Sequence, residues 1–518
     1  MISLKSSIVP SIAVINDLQA AAPRLAQKDP TLWGNEFSSE SATRLGWVSS
    51  PSDALLLLPR IAELVSWAAG RQLNRVILCG MGGSSLAPEV ICNSYDKEII
   101  IVDTTDPGQI HSAIAGDLAH SVVVISSKSG STIETDSAKR AFEAAFKSID
   151  LRPSEHLIIV TDPQSTLHNS AVVDGYQVLL ADPNVGGRYS ALTAFGLLPS
   201  ALAGVDIAGL IHEAISASSS MANLDSPAIA LAAILGEHEK SSPYVALLTK
   251  HGIGDWIEQL VAESTGKSDH GLLPIVVENS SSPGFKAQSV LSVSINREES
   301  ADLNIDAPLG AQFVLWEWAT ALASRIIEIN PFDQPNVAES KAKTALMLED
   351  THQLEIKPNL SFEYLEVFGN YQGQSLADAL AQFMNQIPSN GYLAIMAFLD
   401  RFTDSKAIEL RSSIALLIEK PVTFGWGPRF LHSTGQFHKG NPSIGSFLQI
   451  TGDTSADYPI SERPYSFHTL QMAQAIGDGQ ALKERQVPII RLHLKERDLG
   501  LAAIGEAVAE LILRREVS

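Results

Sequence analysis

Two stretches concentrate the groups that could hold an anion. In SKSGSTIET, Ser127, Ser129, Ser131 and Thr132 surround Lys128 and Gly130, directly after the apolar run SVVVIS and ahead of an amphipathic stretch. Several hydroxyls, one ammonium and a helix N-terminus suit a phosphate monoester, because each of its oxygens needs a donor. The same residues would also make a plain Ser-rich helix cap beside a solvated lysine. In GMGGSSLAPEV, which follows RVILC, Gly80, Gly82 and Gly83 let the backbone approach a ligand, and Ser84 and Ser85 open the next helix. This second turn is close to the dinucleotide fingerprint, with Asp103 about 20 residues beyond Gly83, where a ribose acid would stand. Ser85 occupies the place of the third glycine, which weakens that reading. A P-loop is excluded, since GKS at 266–268 lacks the upstream glycine.

Such turns need strand ends to carry them. RVILC, EIIIV, SVVVIS, HLIIV and YQVLL are short Val- and Ile-rich runs separated by helical stretches, an order that predicts a mostly parallel sheet covered on both faces. Ligands then belong at the carboxyl ends of the strands, where both turns lie. A second set of candidates, SSPYVALLTK, GLLPIVVE, GYLAIMAFL, PVTFGWG, GSFLQIT and VPIIRLHL, alternates with helices such as PLGAQFVLWEWATALASRIIEI and AIELRSSIALLIEK. The predicted organisation is α/β: a helical segment over 1–45 with a stop at Pro30 and a turn at Gly34, a first lobe over 46–205, and a second lobe with a C-terminal extension over 206–518.

Composition narrows the function. Hydrophobic residues are 45% and charged residues 18% of 518, the balance of a packed globular chain. Asp and Glu number 58 against 37 Lys and Arg, a formal charge of −21 that repels polyanions and argues against nucleic-acid binding. An anionic small substrate must therefore be met by local cations and backbone N–H groups. Cys79 and Cys92 have no metal or disulfide spacing and read as packing residues. With no secretory leader pattern and no membrane-length apolar run, a cytoplasmic location is expected.

The two turns together resemble those of the sugar-isomerase (SIS) domain. Three later segments, VGGRYSALTAFGLLP at 185–199, EQLVAESTGKSDHGLLP at 258–274 and NPFDQPNVAESK at 330–341, narrow the resemblance to the phosphoglucose isomerase family. RLAQKDPTLW and GPRFLHSTGQFHKG resemble the isomerase half of bifunctional transaldolase/phosphoglucose isomerases; no transaldolase barrel precedes them here, so that second activity is not expected. The resemblance implies two SIS-type αβα sandwich domains with mostly parallel sheets plus peripheral helices. It also implies aldose–ketose isomerisation of glucose 6-phosphate and fructose 6-phosphate, no cofactor or metal, and a homodimer.

Position by position, the resemblance makes Ser127, Lys128, Ser129 and Thr132 the phosphate loop, Gly83 and Ser84 the sugar-facing turn, and Glu134 and Gln334 further substrate contacts. Arg188 becomes the arginine that steadies an enediolate, a role suited to a guanidinium that stays charged. Lys341 matches the lysine ending the FDQ signature, used near the ring oxygen, although Asn336 and Ala338 replace a Gly and a Glu of that pattern. Glu263 in ESTGK and Glu278 in LPIVVEN compete as the base for the C2 proton, with Glu263 preferred and the other expected to anchor a loop. His432 in LHSTGQFHKG matches the ring-opening histidine, with His438 nearby, but it comes much later in the chain than in short bacterial relatives, so the fold must bring it back, from its own or a neighbouring subunit. His270 reads as solvated. Two alternatives stay open: an isomerase that also takes mannose 6-phosphate, and a non-catalytic phosphosugar sensor.

Overall fold

The computed structural model describes residues 2–517 apart from Glu298; the side chains of Val337, Ala338, Thr351 and Val517 also lie outside the described residues. The chain opens with a strand, β1 (Ser3–Ser6), within the stretch expected to be helical, before the helix Ile12–Ala26. The four residues SLKS carry no apolar alternation, so their pairing is set by a sheet edge elsewhere and not by their own pattern.

The five predicted runs become β2 (Arg75–Gly80), β3 (Ile100–Val102), β4 (Ser121–Ser126), β5 (Leu157–Thr161) and β6 (Gln177–Leu180). They form an all-parallel sheet in the order β3-β2-β4-β5-β6. Every residue of β4 and β5 is buried, as sheets covered on both faces require. The chain leaves β2 toward β3 on one side and resumes at β4 on the other. The crevice at this reversal therefore opens between the ends of β2 and β4, the two strands that bear the hydroxyl-rich turns.

Downstream of residue 205 the chain builds two more sheets. In one, β7 (Tyr244–Leu248), β8 (Leu273–Val276), β9 (Leu291–Ile295) and β10 (Leu303–Asp306) run parallel in the order β10-β9-β7-β8, and β1 closes the edge antiparallel to β10. The other lies in the C-terminal extension. It comprises β11 (Leu360–Ser361), β12 (Leu365–Phe368), β13 (Tyr392–Ala397), β14 (Val422–Trp426), β15 (Gly445–Gly452) and β16 (Ile489–Leu494), in the order β11-β12-β16-β15-β13-β14. β12 pairs antiparallel with both β11 and β16, and the remaining pairings are parallel.

The helix Leu309–Ile326 is buried on all sides through its middle, consistent with its nearly unbroken apolar sequence, and sits in the core shared by the first two sheets. A separate apolar layer containing Tyr244, Ala246 and Ile275 from the second sheet and Tyr392, Ala394 and Phe447 from the third joins those two sheets. Among the described residues no helix is long and apolar enough to cross a membrane.

Candidate active site

The turn after β2 is a short 3₁₀ helix, Gly82–Ser84, and its glycines are needed for contact. Gly82 has φ +56°, and a Cβ on Gly83 would stand 1.9 Å from the carbonyl oxygen of Gly187. Two backbone segments thus touch, and the second brings Arg188 to the crevice. Asp103 does not serve a nucleotide ribose: it is buried, accepts from Ser85 Oγ at 3.1 Å and pairs with Arg429 at 2.6 Å.

The turn after β4 is ordered by its own hydroxyls. Ser127 Oγ accepts the Gly130 N–H at 3.1 Å and donates to Thr132 Oγ1 at 3.3 Å, and Ser129 and Ser131 hydroxyls lie 2.7 Å apart. Thr132 stands at the start of the helix Ile133–Ser148 without capping it through its side chain, which leaves that hydroxyl toward the crevice. Lys128 is tied down, donating to the Pro183 carbonyl at 2.9 Å and pairing with Asp162 at 2.6 Å.

A cleft of about 490 Å³ collects Gly83, Ser84, Ser127, Lys128, Ser129, Thr132, Arg188, Glu263, Gln334 and His432. Arg188 is 2% exposed and fixed by Ser264 Oγ at 2.8 Å and the Pro331 carbonyl at 2.6 Å, with Nη1 3.4 Å from Glu263 Oε1. Glu263, on the helix Ile253–Thr265, is 5% exposed. Burial lifts its carboxyl above the ordinary range, against the pull of Arg188, His432 and a 3.1 Å bond from Gln259. Lys267, the last residue of ESTGK, is buried under Asn330 and Asp333, and burial brings its ammonium down to about 8.

His432 reaches the cleft of its own chain. It ends the short helix Arg429–His432 after β14, its carbonyl accepts from Gln259 Nε2 at 2.7 Å, and its Nε2 lies 3.2 Å from Glu134 Oε1. Glu134, buried in the first turn of Ile133–Ser148, also accepts from Gln474 Nε2 at 2.7 Å. Burial would raise its carboxyl, but His432, its own backbone N–H and Lys341 outweigh that and hold it low. Glu134 and Lys341 do not line the main cleft; they line an adjoining cavity of about 240 Å³, and His432 stands in the wall between the two.

Glu278 lies apart. Both its oxygens are taken by Arg411, at 2.6 and 2.5 Å, and Ser282 donates at 2.7 Å. Burial acts upward on it, yet Arg411 and Ser282 prevail and keep it below the ordinary carboxylate range. His438 is a core residue hydrogen-bonded to the Tyr392 hydroxyl at 2.7 Å, driven down to about 3 by burial, and His270 is exposed beside Glu239.

Gln259 and Gln474 are functional candidates that sequence motifs did not reveal. Gln259 had a faint signal, four residues before Glu263 on one helix face. Gln474 had none. No group of three or more His, Cys, Asp or Glu among the described residues could hold a metal ion.

A doubly wound α/β protein whose switch-point cleft joins a hydroxyl-rich turn to a buried arginine–carboxylate pair is the class these features define. Residues 62–216 match the family model of phosphoglucose isomerase, so the resemblance read from the motifs holds over that part of the chain. The chain is 32% identical over 219 residues to a glucose-6-phosphate isomerase of Synechococcus sp. (strain JA-3-3Ab), covering 39% of this chain and 41% of that protein. It is 31% identical over 212 residues to a probable glucose-6-phosphate isomerase of Haloarcula marismortui, covering 38% and 48%. The matched stretch thus spans less than half of either relative. A crystal structure of a glucose-6-phosphate isomerase from Chlamydia trachomatis has the same fold at TM-score 0.57 and 17% identity, over 68% of this chain and 89% of that one. A hypothetical protein from Thermus thermophilus matches at TM-score 0.58 and 23% identity, over 67% of this chain and all of that one.

Proposed function

We propose that the protein is a glucose-6-phosphate isomerase, interconverting glucose 6-phosphate and fructose 6-phosphate in the cytoplasm. The observation that carries this reading is the Arg188–Glu263 pair, 3.4 Å apart and buried, in the same cleft as the Ser127–Thr132 turn. The turn would take the phosphoryl group with Ser127, Ser129 and Thr132 hydroxyls. His432, backed by Glu134 and by Lys341 across the wall, would move a proton to the ring oxygen as the ring opens. Glu263 then takes the proton from C2 and electrons shift onto O1 to form a cis-enediol(ate) beside Arg188; a proton passes from the O2 hydroxyl to O1, and as the C2 carbonyl forms the same carboxyl returns its proton to C1. Mass and electrons balance within the sugar, so no redox partner enters.

The names of the matched relatives support the same substrate class. A coupled assay with purified protein, in the presence of a chelator, tests it: fructose 6-phosphate should be converted to glucose 6-phosphate. Parallel runs with mannose 6-phosphate separate the broader isomerase, and binding of a phosphosugar without turnover would establish a sensor instead.

A further inference from the structure

The third sheet carries a cationic cavity whose wall shares no residue with the cleft. Phe368 on β12, Arg491 on β16 and Gln449 on β15 are directly opposed in register, so their side chains share one face of the sheet. The helix Phe467–Lys483 covers that face, and between helix and sheet lies a cavity of about 430 Å³.

Arg491 is 8% exposed and lines this cavity, its guanidinium 3.7 Å from the centre of the Phe368 ring. Among the described residues that guanidinium has no hydrogen bond and no ion pair. Burial lowers it to about 10, with only the longer-range field of Glu366 in opposition. Buried arginines otherwise find carboxylates in this molecule, as Arg411 and Arg429 do. The cavity wall adds Lys483 at its rim and the amides of Asn359, Gln386 and Gln480, and no Asp or Glu. A desolvated cation whose guanidinium carbon lies over an aromatic ring keeps its N–H groups unspent, and those groups can bind an anion through two parallel bonds.

We propose that this cavity is a binding site for a small organic anion, its carboxylate or phosphate on Arg491 and its body against Phe368 and Tyr371. The inference is independent of the proposed isomerase activity. Its probes are 4-bromobenzoate and phenyl phosphate, titrated calorimetrically into the full chain. Arg491→Met should weaken binding about tenfold to hundredfold, the usual worth of charge-assisted hydrogen bonds. Its melting temperature should stay at or above that of the parent, because the change removes an unpartnered buried charge. Lys483→Glu, at the exposed rim, opposes the same field without touching the sheet and should also weaken binding. The bromine anomalous signal in soaked crystals should lie in the cavity, and the tighter of the two probes identifies the head group. Binding unchanged by both substitutions, bromine located only elsewhere, or no binding at all would overturn the proposal.

Discussion

A carboxylate that is to pull a proton from carbon must be hungry for it, which means partly stripped of water and not fully satisfied by cations. Glu263 meets that condition and Glu278 does not, since Arg411 and Ser282 occupy both its oxygens. Glu263→Gln should lower kcat by about 100-fold or more with phosphosugar binding retained, the size expected for losing a general base. Glu278→Gln should leave kcat within about twofold, a limit set by the modest effect of substitutions remote from chemistry, while lowering stability by about 1–3 kcal/mol, between exposed and buried ion-pair costs. The pH profiles carry opposite signatures. A raised Glu263 must lose its proton to act, so kcat/KM should rise with pH through a value above the ordinary carboxylate range. Glu278 is held low in the folded state, so its contribution to stability is complete above the unfolded pKa and disappears as pH falls through the folded one. Acid denaturation curves of parent and Glu278→Gln should therefore converge at low pH; parallel curves would contradict that assignment.

At the scale of elements, the cleft depends on contacts between short segments. A methyl on Gly83 has no room, at 1.9 Å from the Gly187 carbonyl, so Gly83→Ala must push the Gly82–Ser84 turn away from the segment that bears Arg188. Overpacking of this kind costs about 1–3 kcal/mol, and a protein that remains folded should still lose most of the proposed isomerase turnover. Gln474→Ala tests a subtler link: Glu134 and Thr105 each lose a buried 2.7 Å bond and the His432 contact loosens, so the expected result is a lower kcat together with a lower melting temperature. The turns themselves were legible in the sequence, because glycine and hydroxyl residues at strand ends advertise backbone geometry. The five strands of the first sheet were legible for the same reason, each a short Val/Ile run between helices. Gln474 was not, as it lies in a helix of mixed composition where nothing marks a buried amide. Nor were β1, β9, β10, β11 and β12: strands of two to five residues take their pairing from the neighbours they meet, and their own patterns are too short to show it.

Across the whole molecule, chain order and spatial order part company. His432 stands 169 positions after Glu263 in sequence, and what returns it to the cleft is the apolar layer between the second and third sheets, with Gln259 pinning the His432 carbonyl. The motif could be recognised from residues alone; its arrival within the same chain could not, because interface packing has no local signature. The charge balance, by contrast, is fully readable and makes a prediction of its own. The chain carries −21, and the cations of the cleft are not spare: Arg44 pairs with Glu40 at 3.0 Å, Lys128 with Asp162 at 2.6 Å and Arg188 with Glu263 at 3.4 Å. Under the proposed function, a phosphosugar dianion would approach against the field of the molecule with little local attraction to offset it. Adding sodium chloride shortens the screening length from about 30 Å at 0.01 M to about 8 Å at 0.15 M, which weakens the distant repulsion far more than contacts inside the cleft. On that basis kcat/KM should increase over this range while kcat stays constant. A steady decrease from the lowest salt upward would mean that the cleft cations steer the substrate despite their partners.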